Sequence, residues 1–258
     1  LLTQYEADGM VQLVKVRSYR DAVVNTELSC QQWDSATVRG GVLVFMVKGV
    51  LTLNADINVS GRGFRGGIVS QGSGLCQVSD DSLRWESYSI WSHASGYKGE
   101  GLGIKTASDQ SLYPAYMKGK GANLTGGGGG NGHFSGGGGG SNYGAGSVGD
   151  QEIAPDICGG LYPGGRGGFS VSGPPTLNTG VYMGGGGGAS VYLTTPTTSA
   201  GANGGGIVII HADTIVGNGR VITAGGSAAN NNTVANAGAG GGGAGGSVII
   251  STRHFSSV

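Results

Sequence analysis

The sequence predicts an all-β protein: a glycine-rich β-solenoid or β-sandwich of repeated short strands, with packed polyproline-II-like polyglycine segments. Three observations lead to this prediction. Short β-branched runs recur between glycines, glycine supplies 58 of the 258 residues, and no stretch keeps the 3.6-residue apolar period of a helix. An ordinary domain contains about 7% glycine, so the excess must be part of the architecture.

One strand-forming phrase recurs along the chain. GGVLVFMVKGVLTLNADINVSG (40–61) aligns with GGGIVIIHADTIVGNGRVITAGG (204–226) at a constant shift of 164 positions, which places Ile57 on Val221. A third copy, GGSVIISTRHF, starts at Gly245. Short β-branched runs bounded by Gly and Asn predict strands joined by tight turns. We expect Ile57 and Val221 to be buried at matching positions.

The first region, 1–39, is predicted to contain a strand. Alternation around Val11, Leu13 and Val16 indicates a half-buried strand, and Trp33 is expected to be an anchor in the polar stretch that follows. The chain begins with Leu-Leu and ends within the third copy of the repeat. We therefore expect it to be a piece of a longer or processed protein.

Three further regions follow, and we expect one continuous domain. The first glycine-bounded β repeat covers 40–74, and its SGRGFRGG (60–67) satisfies GxGxxG in form. A dinucleotide site needs a helix after this motif, and the sequence that follows is not helical, so we interpret the motif as a turn leaving the repeat. Residues 75–120 form an aromatic-rich insertion, and 121–258 form a glycine-rich β region with the second and third repeats.

The glycine runs, among them 126–130, 136–140 and 184–188, allow two states. One is a flexible linker. The other is a packed array of polyproline-II-like strands, in which glycine permits neighbouring backbones to approach closely. We predict the packed array, because aromatic and amide residues interrupt the glycines and the runs lead into strongly apolar strands.

Composition excludes several classes of partner. Lys and Arg together number 15, and so do Asp and Glu, so we expect no nucleic-acid partner. No apolar run approaches the ~20 residues of a membrane helix, and we expect no membrane insertion. Cys30, Cys76 and Cys158 match neither a disulfide framework nor a zinc motif, although one pair could still form a bridge.

Dense side-chain chemistry is confined to 80–118. This stretch either covers a sheet edge or forms a binding surface, because sugars stack on aromatic rings and bond through their hydroxyls. For the binding interpretation, a cell-surface glycan or substratum is the expected partner. The ligand-binding candidates are Trp85, Tyr88, Trp91, Tyr97, Tyr113 and Tyr116.

Catalytic and metal-binding patterns are weak. The acidic group Asp150, Glu152 and Asp156 could supply oxygen ligands to Ca²⁺, but its spacing matches no EF-hand. The histidines are scattered, and His211, on a repeat strand, is expected to be a surface residue. We expect no cofactor other than this calcium and no enzymatic activity, since neither a nucleophile–base pair nor a carboxylate pair is evident.

Two parts of the chain resemble very large secreted proteins of gliding and related Bacteroidota. There, a segment of the form LTLNADIxVSGxGFRGG precedes glycine-rich blocks, and the likeness covers roughly 10–67 and 184–252 but not 75–120. The matching residues are Leu51 to Asp56, Ile57, Val59, Ser60, Gly61, Gly63, Phe64, Arg65, Gly66 and Gly67. The resemblance implies a secreted or cell-surface protein exported by the type IX secretion system, with adhesion or gliding-motility roles and contacts to outer-membrane secretion or anchoring machinery.

The leading functional hypothesis is therefore a non-enzymatic adhesin segment. Two alternatives remain open: a carbohydrate-active enzyme on a β-solenoid, and the receptor-binding tip of a phage tail fibre with packed polyglycine helices. A cleft holding two carboxylates about 5–10 Å apart would favour the enzyme.

Overall fold

The computed structural model describes residues 12–71, 95–103, 117–132, 135–151, 163–172, 180–192, 200–228 and 238–256. This part of the chain is rich in strand and has almost no helix, and its named strands all pair in parallel. None of its helical residues belongs to a helix long and apolar enough to cross a membrane.

The strands form three parallel sheets. The largest has the order β1-β3-β7-β9, with β2 also paired to β3, and β4–β8 and β5–β6 form two-stranded sheets. The strands are β1 (Arg17–Tyr19), β2 (Ala22–Val24), β3 (Val42–Leu53), β4 (Ile57–Asn58), β5 (Ser70–Gln71), β6 (Val191–Tyr192), β7 (Ile207–Gly217), β8 (Ile222–Thr223) and β9 (Ser247–Ser256).

The three predicted copies of the repeat lie side by side in this sheet. Val42 of β3 pairs with Ile207 of β7, and Ile207 pairs in turn with Ser247 of β9. The prediction of strands separated by a turn within a copy is confirmed by β3 and β4 and by β7 and β8, but the prediction that these strands are all short is wrong. β7 is one continuous strand of 11 residues, because its backbone groups pair with neighbouring copies on both sides and so need no hairpin partner.

The predicted shift of 164 between the first two copies holds for only part of their length. Val42 pairs with Ile207 at a shift of 165, whereas Leu51 pairs with Ile215 at 164. The change falls at a bulge between Val47 and Val50. There β3 carries one residue more than β7, and the Asp21 carboxylate accepts the Val50 N–H at 2.9 Å.

After the strands, the shift returns to 165, so the predicted match of Ile57 with Val221 is wrong. Ile57 pairs with Ile222 and is fully buried, whereas Val221 is 51% exposed. The second copy has an extra residue in its corner, where Gly219 adopts φ +63°, and this moves the apolar position on by one.

The N-terminal strands also differ from the prediction. Leu13 is 91% exposed and Val16 46% exposed, and Val11 lies outside the described residues. The strands start at Arg17 instead, where the chain first pairs with β3. Trp33 is an anchor as expected, since it is 5% exposed and meets the Phe64 ring edge-on at 6.0 Å between centroids.

The apolar core lies on one face of the large sheet. It is formed by alternate residues of β3 and β7, as expected where side chains point to opposite faces in turn, together with Ile57 and Val59. The fully buried large side chains among them are Val47, Leu51, Ile57, Val59, Val208 and Ile210.

Beside the sheets, the glycine runs form a hydrogen-bonded bundle. In 184–189, the N–H groups donate in turn to Gly205, Ser141, Glu100, Ala202, Gly138 and Tyr97. The segment that accepts therefore recurs every third residue, which is the period of a polyproline II helix. The carbonyls of 184–189 accept with the same period, from Phe64, Ala244, Gly127, Gly67, Gly241 and Gly130.

The spacing of these segments explains the choice of glycine. A Cβ added to Gly186 would lie 1.9 Å from the carbonyl oxygen of Arg65, and one added to Gly138 would lie 2.2 Å from that of Arg166. Neither distance is compatible with a side chain. The prediction that 126–130, 136–140 and 184–188 pack against neighbours is confirmed, and the 60–67 motif leads from β4 into this bundle.

Candidate functional site

The bundle has two ends of different character. At the strand end, Gly41, Gly206 and Gly246 lead directly into β3, β7 and β9. We call the opposite end, around Asn131 and Ser190, the distal end. Its polar residues are buried: Asn131 and Ser190 are fully covered, and Ser95 Oγ lies 3.2 Å from Asn131 Oδ1.

Several connecting stretches leave from and return to the distal end. Ser70–Gln71 pairs with Val191–Tyr192 there, and the Asn131 N–H donates to the Pro163 carbonyl at 3.2 Å. The chain between these described residues consists of 72–94, 133–134, 152–162 and 193–199. A fifth stretch, 229–237, re-enters the bundle near the same end, since Ala239 accepts a hydrogen bond from Gly137.

Most of the predicted ligand-binding aromatics fall in stretches outside the described residues. Trp85, Tyr88 and Trp91 belong to 72–94 and Tyr113 and Tyr116 to 104–116, so only Tyr97 of that set is described. The described part of the aromatic insertion belongs to the glycine bundle. Gly96 and Gly99 donate to Gly130 and Gly127 at 2.8 Å each.

Tyr97 is half-buried and one face of its ring is occupied. The Lys118 ammonium lies 4.5 Å from the ring centroid and donates to Ser70 Oγ at 2.8 Å, while the two backbones form an antiparallel bridge. Burial lowers the pKa of Lys118. Because the cation covers one face, only the other face of Tyr97 could stack on a sugar.

Tyr97 borders a small cavity between the bundle and the chain around Ser35. The Glu100 carboxylate accepts hydrogen bonds there from Ser35 Oγ at 3.0 Å and the Arg65 N–H at 3.2 Å. Burial raises the pKa of Glu100, and the Arg65 N–H opposes that rise. Burial also lowers the pKa of Lys98, on the same cavity, to about 8.

The size of this cavity decides what it can hold. Its volume is about 140 Å³, whereas ligand pockets begin at ~300 Å³. Its polar groups are engaged in joining segments, since the Arg65 guanidinium also bonds the Asp34 carboxylate at 3.0 Å. We interpret the cavity as a junction that holds the bundle against the sheets.

Of the three residues predicted to bind calcium, only Asp150 is among the described residues. Asp150 is exposed, and its backbone carbonyl accepts the Gly136 N–H at 2.8 Å. Glu152 and Asp156 lie outside the described residues. Over the described ranges, no three His, Cys, Asp or Glu side chains come together as a metal site. Cys30 is a free thiol whose pKa is raised by burial, with Arg62 opposing the rise.

A larger concavity crosses the outward face of β3, β7 and β9, and sequence reasoning did not single it out. Its volume is about 420 Å³. We call it the cross-strand groove and define it by Met46, Lys48, His211, Asp213, Ser251 and Arg253. His211 is exposed in it, as expected of a surface histidine. The missed signal is that each of the three repeat strands carries a charged residue, Lys48, Asp213 or Arg253, shortly after its apolar run.

Comparison with protein-family models, with curated proteins and with solved structures finds no match to this chain.

Proposed function

We propose that this chain is a non-enzymatic attachment segment of a secreted or cell-surface protein, in which a rigid glycine scaffold presents loops to a surface. The observation that carries the proposal is that several connecting stretches of the chain start or end at the distal end. Residues that flank 72–94, 133–134, 152–162 and 193–199 lie there, through the pairing of Ser70–Gln71 with Val191–Tyr192, the contact of Ser95 with Asn131 and the hydrogen bond from Asn131 to the Pro163 carbonyl. Binding residues are commonly placed in this way, on loops held by a rigid scaffold.

The finer architecture that we propose is a β-solenoid. In support, β1, β3, β7 and β9 pair in parallel and follow one another across the sheet in sequence order. The first connection is short, since Arg17 pairs with Phe45. The connection from β3 to β7 is much longer because bundle segments are inserted in it. Such units must stack, because one alone cannot bury its apolar face.

The sequence of the distal stretches is suited to a glycan. Trp85, Tyr88 and Trp91 offer aromatic faces, LTTPTTS (193–199) offers hydroxyls, and Asn230 to Asn232 offer amides. A glycine bundle by itself has few groups that discriminate between ligands. We therefore place recognition in these stretches and the supporting role in the bundle. The same anchoring would suit the receptor-binding tip of a phage fibre.

The cellular setting belongs to the proposal as well. The resemblance of 10–67 and 184–252 to secreted proteins of gliding Bacteroidota supports export by the type IX system and display at the outer membrane. Contacts with secretion or anchoring machinery would follow from that route.

The proposal is tested by attachment of protein-coated beads to an array of bacterial and algal cell-surface glycans. We expect Trp91→Ala to reduce retention on the bound glycan by about tenfold, the loss of one aromatic anchor. The matched control is Tyr143→Ala, since Tyr143 is 74% exposed but lies near the strand end, where Asn142 bonds the Gly245 carbonyl.

A second variant is included because the first could fail to fold. Replacing Asn230, Asn231 and Asn232 by serine changes another distal stretch, and thermal unfolding of every variant is measured alongside. Unchanged retention in both distal variants, or equal loss in the Tyr143 control, would contradict the placement of recognition at the distal end. Absence of retention on every glycan would contradict the attachment function itself.

A further inference from the structure

The pairing register of β3, β7 and β9 brings together the residues that line the cross-strand groove. Met46, His211 and Ser251 are paired neighbours on β3, β7 and β9, so their side chains form one row across the sheet. A second row lies two residues further along the strands and comprises Lys48, which belongs to the bulge of β3, with Asp213 and Arg253; all three line the groove. Side chains two residues apart share a face, and both rows point away from the core.

The second row carries charges of both signs. The Arg253 guanidinium lies 3.4 Å from the Asp213 carboxylate, while Lys48 forms no ion pair with any described residue. His211 adds a donor in the first row, and Ser251 adds a hydroxyl. The groove therefore holds two basic side chains with one carboxylate between them.

The spacing of the cations favours an extended ligand. Adjacent strands lie ~4.8 Å apart, so Lys48 and Arg253, on strands two apart, are separated by roughly 10 Å. The two strands therefore present their cations at separate points along the groove. A chain that carries acidic groups at intervals can contact both at once.

The groove also has an apolar border. Val44, Ile209 and Ile249 form the next row of the same face, and Ile249 is 40% exposed. Apolar side chains beside hydroxyl and cationic groups suit the mixed faces of a sugar ring. The described residues that line the groove include no Phe, Tyr or Trp ring on which a base could stack, which disfavours single-stranded nucleic acid.

We propose that the cross-strand groove binds an acidic polysaccharide, with Lys48 and Arg253 contacting successive carboxylate or sulfate groups along the glycan chain. This site lies on the sheet and is separate from the distal end of the bundle. It would give the protein a second surface for polysaccharide, independent of the recognition proposed for the distal stretches.

The test is affinity electrophoresis of the full chain through gels containing polygalacturonate, dextran sulfate or neutral dextran. We expect retardation by one or both acidic polymers and none by neutral dextran. Polygalacturonate supplies carboxylates and dextran sulfate supplies sulfate esters, so the two gels identify which group is recognised. Retardation should weaken as NaCl rises, since the cations are exposed.

Variants locate the site. We expect Lys48→Gln and Arg253→Gln each to weaken binding about fivefold, as loss of one charge-assisted contact. Arg220→Gln is the control, because Arg220 is an exposed arginine paired with Asp56 at 3.9 Å, outside the groove. Asp213→Asn should strengthen binding, since it removes the carboxylate that competes for Arg253.

Each outcome decides the proposal. Weakening in the two groove variants with the Arg220 control unchanged supports it. No retardation by either acidic polymer, equal weakening in the control, or unchanged binding in both groove variants overturns it. Circular dichroism confirms that the variants are folded. Trp91→Ala should leave this binding intact, so failure here and failure of the distal site are distinguishable.

Discussion

Glycine is needed in the bundle because it has no Cβ atom. At Gly186 the nearest atom to an added Cβ is a backbone carbonyl oxygen, at 1.9 Å, and a backbone atom cannot turn aside as a side chain can. At Gly144 nothing lies within 4 Å of an added Cβ. Two glycines of the same chain therefore differ completely in their tolerance of substitution.

We predict that Gly186→Ala destabilises the protein by about 3 kcal/mol or more, as expected of severe overpacking. Gly144→Ala is the matched control and should change the free energy of unfolding by less than about 0.5 kcal/mol. Chemical denaturation of both variants and the parent measures this. Equal stability of all three would mean that 184–188 is not packed in solution.

Lys98 provides a second test at the same scale. Burial lowers its pKa from the ordinary value of 10.5 to about 8, so between these pH values the unfolded chain binds a proton that the folded chain does not. Stability therefore rises with pH across this window. The rise is about 3 kcal/mol at most.

The variant Lys98→Met should lose this part of the pH dependence. Free energies of unfolding measured at pH 7 and pH 10 would then differ less in the variant than in the parent. Lys118, whose pKa is also lowered by burial, contributes in the same direction in both proteins and cancels in the comparison. An identical difference in parent and variant would contradict the lowered pKa of Lys98.

Within the strand elements, register decides which apolar residues reach the core. The bulge at Lys48 and Gly49 adds a residue to the first copy, and the corner at Gly219 adds one to the second. These insertions offset each other, so the pairing shift is 165 before the bulge and after the corner and 164 only between them. The predicted constant shift is correct for Leu51 but one residue out at Ile57.

We predict that Ile222→Ala is more damaging than Val221→Ala. Ile222 packs against the core, so its truncation should cost about 2 kcal/mol, whereas that of the exposed Val221 should cost less than about 0.5 kcal/mol. Thermal or chemical unfolding of the two variants gives the comparison. A larger loss of stability in Val221→Ala than in Ile222→Ala would show that Val221 occupies the buried position predicted by the constant shift.

Sequence reasoning predicted the strand runs, the packed glycine runs and Trp33, because these depend on local composition. It did not predict that Ile207–Gly217 is one strand, since parallel partners come from distant parts of the chain. Nor could it reveal the cross-strand groove. His211 and Asp213 are ordinary surface residues on their own strand and line a groove only when β3 and β9 lie beside them.

At the scale of the whole molecule, the sheets and the bundle share backbone hydrogen bonds. Gly206 donates to the Val59 carbonyl at 2.9 Å, and Gly63 donates to the Gly204 carbonyl at 2.7 Å. The chain also passes repeatedly between the two parts. Separation of bundle from sheets would break these bonds and expose Phe64 and Trp33, which pack together at the boundary.

We therefore predict one cooperative unfolding transition. Differential scanning calorimetry should give a calorimetric enthalpy equal to the van't Hoff enthalpy, and the amides of 184–189 should exchange with solvent as slowly as those of β3. Two resolved transitions, or early exchange of the glycine amides, would show that the bundle unfolds by itself.

The glycine bundle also bears on how the protein responds to temperature. Unfolding it exposes mainly peptide groups, and hydration of polar surface lowers the heat capacity, whereas hydration of apolar surface raises it. The heat-capacity change per residue should therefore fall below that of an ordinary domain of equal length. A small heat-capacity change flattens the dependence of stability on temperature, so the fold should lose little stability in the cold.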